Sequence, residues 1–179
     1  MLHEYTIAMK YTFIYDSISF LLSLLVICYC LYTFDPVAII GGFFAVFVPI
    51  CVKLLTSSTP FPSIFKRPDG AADCNLFNTG GKCENESGFP SGHVTLISYF
   101  CFYIYSRYSR NIQDYIFGTD DDAVEVGGDD HGHEEAIVKV VCILPIILMG
   151  FARYMKNCHN IIQIIAGCAT GYGISMFMK

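Results

Sequence analysis

Two short polar segments contain the residue types that chemistry needs, and each lies beside a long apolar run. The first ends in Pro90-Ser91-Gly92-His93. Proline and glycine interrupt the preceding structure, and Ser91 is a favoured residue at a helix start, so we expect a helix to begin here. Unpaired N–H groups and the helix dipole at such a start suit an anion such as phosphate. His93 could protonate a leaving oxygen; taken alone, these residues also fit a capped membrane helix with an incidental histidine.

The second segment, residues 153–160, adds further cations and a second histidine. It contains Arg153, Lys156 and His159, and the earlier loop contains Arg67. Guanidinium groups bind phosphate through paired N–H groups, and one histidine can attack phosphorus while another protonates the leaving group. Neither segment holds a carboxylate pair or a metal-ligand set. The expected chemistry is therefore phosphoryl transfer with no cofactor and no metal.

The elements that must position these residues are membrane helices. Hydrophobic residues make up 54% of the 179-residue chain and charged residues only 15%, where a soluble domain has about a quarter charged. Five predominantly apolar runs have about the length that crosses a bilayer. They are residues 17–34, 37–55, 93–108, 136–152 and 161–178. We expect an all-α fold, a polytopic bundle of about five spanning helices, in a single domain over residues 1–179, with residues 1–15 as an interfacial lead-in.

Five spans determine which loops share a membrane face. The polar loop at residues 56–92 and the connection at residues 153–160 must lie on the same side, because two spans separate them. Arg67, Arg153 and the two histidines can therefore converge at one face. The loop at residues 111–135 lies on the opposite face.

That opposite loop is strongly acidic. It contains nine Asp or Glu residues and no Lys or Arg, while the rest of the chain has 11 basic and 7 acidic residues. His131 and His133 lie among its acids and could hold a metal weakly, but the glycines favour a solvated, mobile loop. The remaining basic residues form no stripe, so we expect an anionic substrate in the bilayer and no nucleic acid.

Two of the nine cysteines, Cys74 and Cys83, share the polar loop, and the other seven are scattered, six of them in apolar runs. Cys74 and Cys83 could form a disulfide if the loop is lumenal or extracellular. A glycosylation sequon begins at Asn85 in the same loop. Both features favour an endomembrane such as the endoplasmic reticulum, with the site on its lumenal side.

In these segments the chain resembles the type 2 phosphatidic acid phosphatase superfamily, which also includes the vanadium haloperoxidases. Its pattern is Lys, six residues, Arg-Pro; then Pro-Ser-Gly-His; then Ser-Arg, five residues, His, three residues, Asp. Here Arg67-Pro68 matches the end of the first part and residues 90–93 match the second completely. Ala152-Arg153, His159 and Gln163 match the third with two changes. The resemblance covers about residues 37–178.

The resemblance implies roles for individual residues. His159 would be the nucleophile that forms a phosphohistidine, and His93 the general acid. Arg67 and Arg153 would clamp the phosphate. The hydroxyl of Ser91 and the N–H of Gly92 would add hydrogen bonds. The superfamily has a six-helix core, so one helix is missing here or replaced by the lead-in.

Three departures from the pattern bear on activity. Pro60 stands where the family has lysine, so Lys66 or Lys53 could serve instead. Ala152 replaces the serine before the motif arginine, which is a mild change. Gln163 replaces the aspartate, but its amide can still accept the ring N–H of His159 and fix the tautomer without charge. Dolichyl-diphosphatases and glucose-6-phosphatases of the superfamily look similar at this place.

These features favour an integral-membrane phosphatase acting on a lipid phosphate or a polyprenyl or dolichyl diphosphate through a phosphohistidine. Pro60 and Gln163 also support an alternative, a weak or inactive membrane protein that keeps the fold to bind lipid phosphates or partners. A vanadate-dependent peroxidase is disfavoured because those enzymes are soluble.

Overall fold

The computed structural model describes residues 2–57, 63–72, 74, 83, 86–117 and 130–178. These residues form five α-helices and one short 3-10 helix. The α-helices are α1 (Leu2–Thr33), α2 (Pro36–Ser57), α3 (Gly92–Phe117), α4 (Asp130–Met155) and α5 (Ile161–Phe177), and the 3-10 helix is Ser63–Phe65. No β-strand occurs among the described residues. The predicted all-α bundle is confirmed.

The helices differ from the sequence prediction at their ends. The predicted lead-in is helical from Leu2 and continuous with the first span, so α1 has 32 residues. α3 extends to Phe117, and α4 already begins at Asp130 within the predicted acidic loop, which is therefore shorter than expected. Acidic residues near a helix start are stabilised by the helix dipole, which explains why α4 begins among them. His131 and His133 thus lie in the first turn of a helix, while residues 118–129 lie outside the described residues.

Three of the helices are long and apolar enough to cross a membrane: α1 over Ile14–Thr33, α2 over Pro36–Ser57 and α4 over Ala136–Met155. α5 is a shorter apolar helix. Their outer faces expose large apolar side chains, for example Leu25, Phe43 and Val140, each more than 60% exposed. Such continuous apolar exposure is unusual for a soluble monomer and suits contact with lipid.

α3 lies at the centre and packs most extensively against α5. Small residues make this approach possible, because a Cβ atom at Gly171 would lie 2.4 Å from the carbonyl oxygen of Thr95. Gly41 likewise allows α2 to approach α3 closely, since an added Cβ atom would lie 2.0 Å from the hydroxyl of Tyr99. Gly171 therefore lies on the closely packed face of α5, whereas Gly173 faces open space.

A polar cluster fixes the end of the bundle opposite the polar loop. Asp35 caps α2 by accepting hydrogen bonds from the backbone N–H groups of Val37 (3.0 Å) and Ala38 (3.4 Å). Its other oxygen accepts a 2.6 Å hydrogen bond from the hydroxyl of Tyr103 and lies 3.6 Å from Arg107. The Tyr103 hydrogen bond is the main reason that the pKa of Asp35 is lowered. The α1–α2 turn is thereby joined to α3.

Candidate active site

The polar loop is covalently joined to the connection between α4 and α5. Cys74 forms a disulfide with Cys158, 84 residues away and directly before His159. The sequence-based pairing of Cys74 with Cys83 is therefore wrong. Cys83 is buried in the same cluster but lies outside the bridge. The signal for the true pairing was the position of Cys158 in a second polar segment on the same membrane face.

Replacing Cys158 with serine should lower the free energy of unfolding by about 2–5 kcal/mol, the usual cost of losing a native disulfide. Thermal unfolding in detergent, with and without dithiothreitol, measures the effect. The matched Cys83→Ser variant keeps the bridge and should still respond to the reductant. If Cys83→Ser behaves like Cys158→Ser instead, the pairing seen here is contradicted.

Hydrogen bonds complete the attachment of the loop. The side chain of Asn160 donates to the carbonyl of Ile64 (3.2 Å), and that of Asn157 donates to the carbonyl of Asp69 (2.8 Å). Within the loop, the backbone N–H of Arg67 donates to the carbonyl of Glu86 at 3.1 Å. The arginine of the first motif is thereby held against the connection that carries the third.

Two arginines lie almost completely buried in this region. Arg67 is 6% exposed and Arg153 is 2% exposed. Arg153 donates to the carbonyl of Cys74, and Arg67 lies 3.8 Å from the exposed carboxylate of Glu86. Nε and Nη1 of Arg67 and Nε of Arg153 have no hydrogen-bond partner among the described residues. Buried guanidinium donors that lack partners are costly unless an anion satisfies them.

The Pro-Ser-Gly-His segment begins α3 beside these arginines. Ser91 is the residue before the helix, and its carbonyl accepts the first helical hydrogen bond from Thr95 (2.9 Å). Its N–H donates to the carbonyl of Gln163 (3.0 Å), which ties the start of α3 to α5. The buried Ser91 hydroxyl has no partner in the described part of the chain. It does not cap the helix as expected from the sequence.

His159 and Gln163 form the hydrogen bond that the sequence predicts. Nδ1 of His159 lies 3.2 Å from Oε1 of Gln163, one helical turn away. The amide orientation of Gln163 follows from its other contacts, because Nε2 donates to the carbonyls of Ile64 (3.1 Å) and Lys66 (2.7 Å). Since Oε1 can only accept, Nδ1 carries the proton and Nε2 of His159 keeps its lone pair. The ring is thus set in the tautomer that a nucleophile requires.

Gly88 leaves the space that this arrangement needs. A Cβ atom there would lie 2.5 Å from Oε1 of Gln163 and 3.0 Å from Cγ of Arg67. Its N–H donates to the carbonyl of Phe65 (2.9 Å). Any side chain at position 88 would displace the amide that orients His159. In the sequence, Gly88 is one of the glycines and prolines that interrupt structure before α3, and this pattern does not indicate its contact with Gln163.

Burial and nearby cations together disfavour the charged form of His159. Its pKa lies well below the ordinary value of 6.5, mainly because burial disfavours the imidazolium and then because Arg153, Lys53 and Arg67 repel it. The hydrogen bond to Gln163 acts weakly in the opposite direction. Arg153, Lys53 and Arg67 also act electrostatically on His93. The residues that the sequence placed at one face are therefore brought together, with Gly92 beside them.

The two candidate lysines lie in different surroundings. A Cβ atom at Gly92 would lie 3.8 Å from Nζ of Lys53, so the ammonium of Lys53 is close to the start of α3. The side chain of Lys66 is exposed, and its described contact with the site is its backbone carbonyl, which accepts from Gln163. The geometry favours Lys53 over Lys66 as the residue that takes the place of the family lysine.

Lys53→Met should lower kcat/KM for a phosphorylated lipid by about tenfold to a hundredfold, because it removes a charged donor from the start of α3. Lys66→Met should leave kcat/KM within about twofold, since a change of an exposed side chain usually has little effect. Steady-state assays of both variants measure the difference. Equal losses, or a larger loss for Lys66→Met, would place the functional lysine in the loop.

A comparison with protein families adds independent information. The model of the PAP2 superfamily matches residues 21–179. This range includes every residue of the site described above. Neither the curated proteins nor the solved structures gave a match.

Proposed function

Because the chain belongs to the PAP2 superfamily, which supports a phosphatase-type function, we propose that it is an integral-membrane phosphatase that hydrolyses a lipid phosphate or a polyprenyl diphosphate through a phosphohistidine. The observation that carries this proposal is the hydrogen bond from His159 to a glutamine amide whose orientation is fixed. It leaves the other ring nitrogen of His159 with a lone pair, next to two arginines with unpartnered donors.

In the proposed reaction, Nε2 of His159 attacks phosphorus and the bond from phosphorus to the leaving oxygen breaks. His93 donates the proton that the leaving oxygen requires. His93 then removes a proton from water, which attacks the phosphohistidine and releases inorganic phosphate. Charge develops on the three phosphoryl oxygens, where Arg67 and Arg153 can neutralise it. Lys53, the Ser91 hydroxyl and the backbone N–H of Gly92 supply further donors at the start of α3.

The position of the site supports a substrate with a lipid tail. Lys53 lies near the end of α2, and the next two residues, Leu54 and Leu55, are 65% and 68% exposed. A headgroup at the start of α3 would therefore be next to an apolar surface that faces the bilayer. A lipid can bind there with its tail still in the membrane. A water-soluble phosphate ester lacks that contribution to binding.

The disulfide supports the proposed orientation. Cys74–Cys158 is on the same face as the site, and disulfides persist in oxidising compartments. We propose that the site faces the lumen of the endoplasmic reticulum or a related endomembrane, or the cell exterior.

A phosphate-release assay on the purified protein in detergent tests the proposed function. Long-chain lipid phosphates and polyprenyl diphosphates should be hydrolysed at least about tenfold more efficiently than a short water-soluble ester, because of the apolar tail. Vanadate should inhibit the reaction, and EDTA should leave it nearly unchanged. No hydrolysis of any lipid in the panel would favour the alternative, a protein that only binds lipid phosphates. Loss of activity with EDTA, restored by magnesium, would contradict the proposed mechanism.

A further inference from the structure

The N-terminal helix brings a carboxylate to the face that holds the site. Asp16 of α1 accepts a hydrogen bond from the ammonium of Lys156, in the connection between α4 and α5. The side chain of Lys156 is 4% exposed and that of Asp16 is 29% exposed. Charges act more strongly on one another when they are partly removed from water. Asp16 also precedes residues 21–179, the range matched by the PAP2 model.

Both members of this pair act on groups of the site. The carboxylate of Asp16 acts electrostatically on the guanidinium of Arg153. The ammonium of Lys156 acts electrostatically on His93. The pair therefore joins α1 to the connection that carries His159, which follows Lys156 by three residues.

Among the described residues, few negative charges offset the positive charges around the histidines, and Asp16 is one of them. Four cationic side chains act electrostatically on one or both histidines: Lys53, Arg67, Arg153 and Lys156. Two carboxylates act on these cations, Asp16 and Glu86. Glu86 is 57% exposed and therefore well screened by solvent. Asp16 is the less exposed of the two, so its charge offsets more of the cationic field.

We propose that Asp16 is a positioning residue that limits how tightly the site holds phosphate, by offsetting the charges of Lys156 and Arg153. A site with four cations and no nearby negative charge would bind inorganic phosphate so tightly that it would be retained after each turnover. With Asp16 in place, phosphate binds strongly enough to react and is still released. This inference rests on the proposed function, because it concerns the product of that reaction.

The test measures the affinity of the purified full chain for inorganic phosphate by calorimetry in detergent, without turnover. Asp16→Asn keeps the shape of the side chain and removes its charge, so phosphate should bind about tenfold more tightly. Lys156→Met should weaken binding by about tenfold, because it removes a cation while the negative charge of Asp16 remains. The double variant restores the original charge balance and should bind within about threefold of the wild type. Asp16→Glu should also behave like the wild type.

Asp35→Asn is the matched control, since it changes an acid in the α1–α2 turn, at the end of the bundle opposite the site. It should leave phosphate affinity unchanged. Weaker phosphate binding in Asp16→Asn, or affinity equal to that of the wild type, would overturn the inference. So would a double variant that binds more weakly than both single variants, the result expected if the pair only supports the fold. Failure of the wild type to hydrolyse lipid phosphates would count against the proposed function instead, because the binding measurement does not depend on turnover.

Discussion

His159→Ala should reduce lipid phosphate turnover by a factor on the order of 10⁵, since it removes the group that attacks phosphorus. The fold should persist, because the disulfide at Cys158 and the capping of α5 by Asn160 do not depend on the imidazole. Phosphate release by the purified variant measures the loss, and thermal unfolding in detergent shows whether the protein is intact.

His133→Ala is a suitable control for this variant. It makes the same substitution in the first turn of α4, at the end of that helix opposite Arg153. The control should retain wild-type turnover. If His159→Ala also remains fully active, the assignment of this site as a phosphatase centre fails.

Gln163→Leu should reduce kcat by about 30-fold to 1,000-fold, equivalent to about 2–4 kcal/mol of transition-state stabilisation. Leucine has a similar volume but cannot accept the N–H at Nδ1 of His159, so the ring is no longer held in one tautomer. It also cannot donate to the carbonyls of Ile64 and Lys66. We therefore expect a lower unfolding temperature in addition to the loss of turnover.

Gln163→Glu separates the two tasks of this residue. It keeps an acceptor for His159 but places a second oxygen against the two loop carbonyls, where the amide now donates. We expect its kcat to exceed that of Gln163→Leu, while its stability is lowered at least as much. Wild-type kcat in Gln163→Leu would show that another group holds the ring.

The sequence was sufficient for the features that depend on local spacing. Long apolar runs predicted the helical bundle. Of the five expected spans, three described helices are long and apolar enough to cross a membrane, and α5 is a shorter apolar helix. The i, i+4 spacing predicted that Gln163 would accept from His159, and the 3.2 Å contact confirms this hydrogen bond. In each case the period of the helix or the thickness of the bilayer determines the spacing of the residues in the sequence.

Features that depend on how the polar loop folds could not be predicted from the sequence. The pairing of Cys74 with Cys158 and the donation from Gln163 to two loop carbonyls are contacts between residues more than 80 positions apart. Loop closure over such distances leaves no periodic signal in the sequence. For the same reason the choice between Lys53 and Lys66 remained open until the end of α2 could be seen beside Gly92.

α1 shows a different limit of sequence reasoning. Asp16 marked the boundary of an apolar run, and this is all that a hydropathy pattern can assign to it. Its contact with Lys156 depends on the packing of α1 against α4. The shorter acidic loop has a similar origin, since acidic residues near the start of a helix can be helical when the dipole stabilises them.

The central claim, that His159 carries the phosphoryl group during turnover, is tested most directly by rapid quenching with a radiolabelled lipid phosphate at alkaline pH, followed by peptide mapping. Phosphohistidine is acid-labile, so the label should survive alkali and be lost in acid. We expect wild-type protein to carry the label on the peptide that contains His159, and His159→Ala to carry none. Label on another residue, or active wild-type protein that never becomes labelled, would contradict the mechanism.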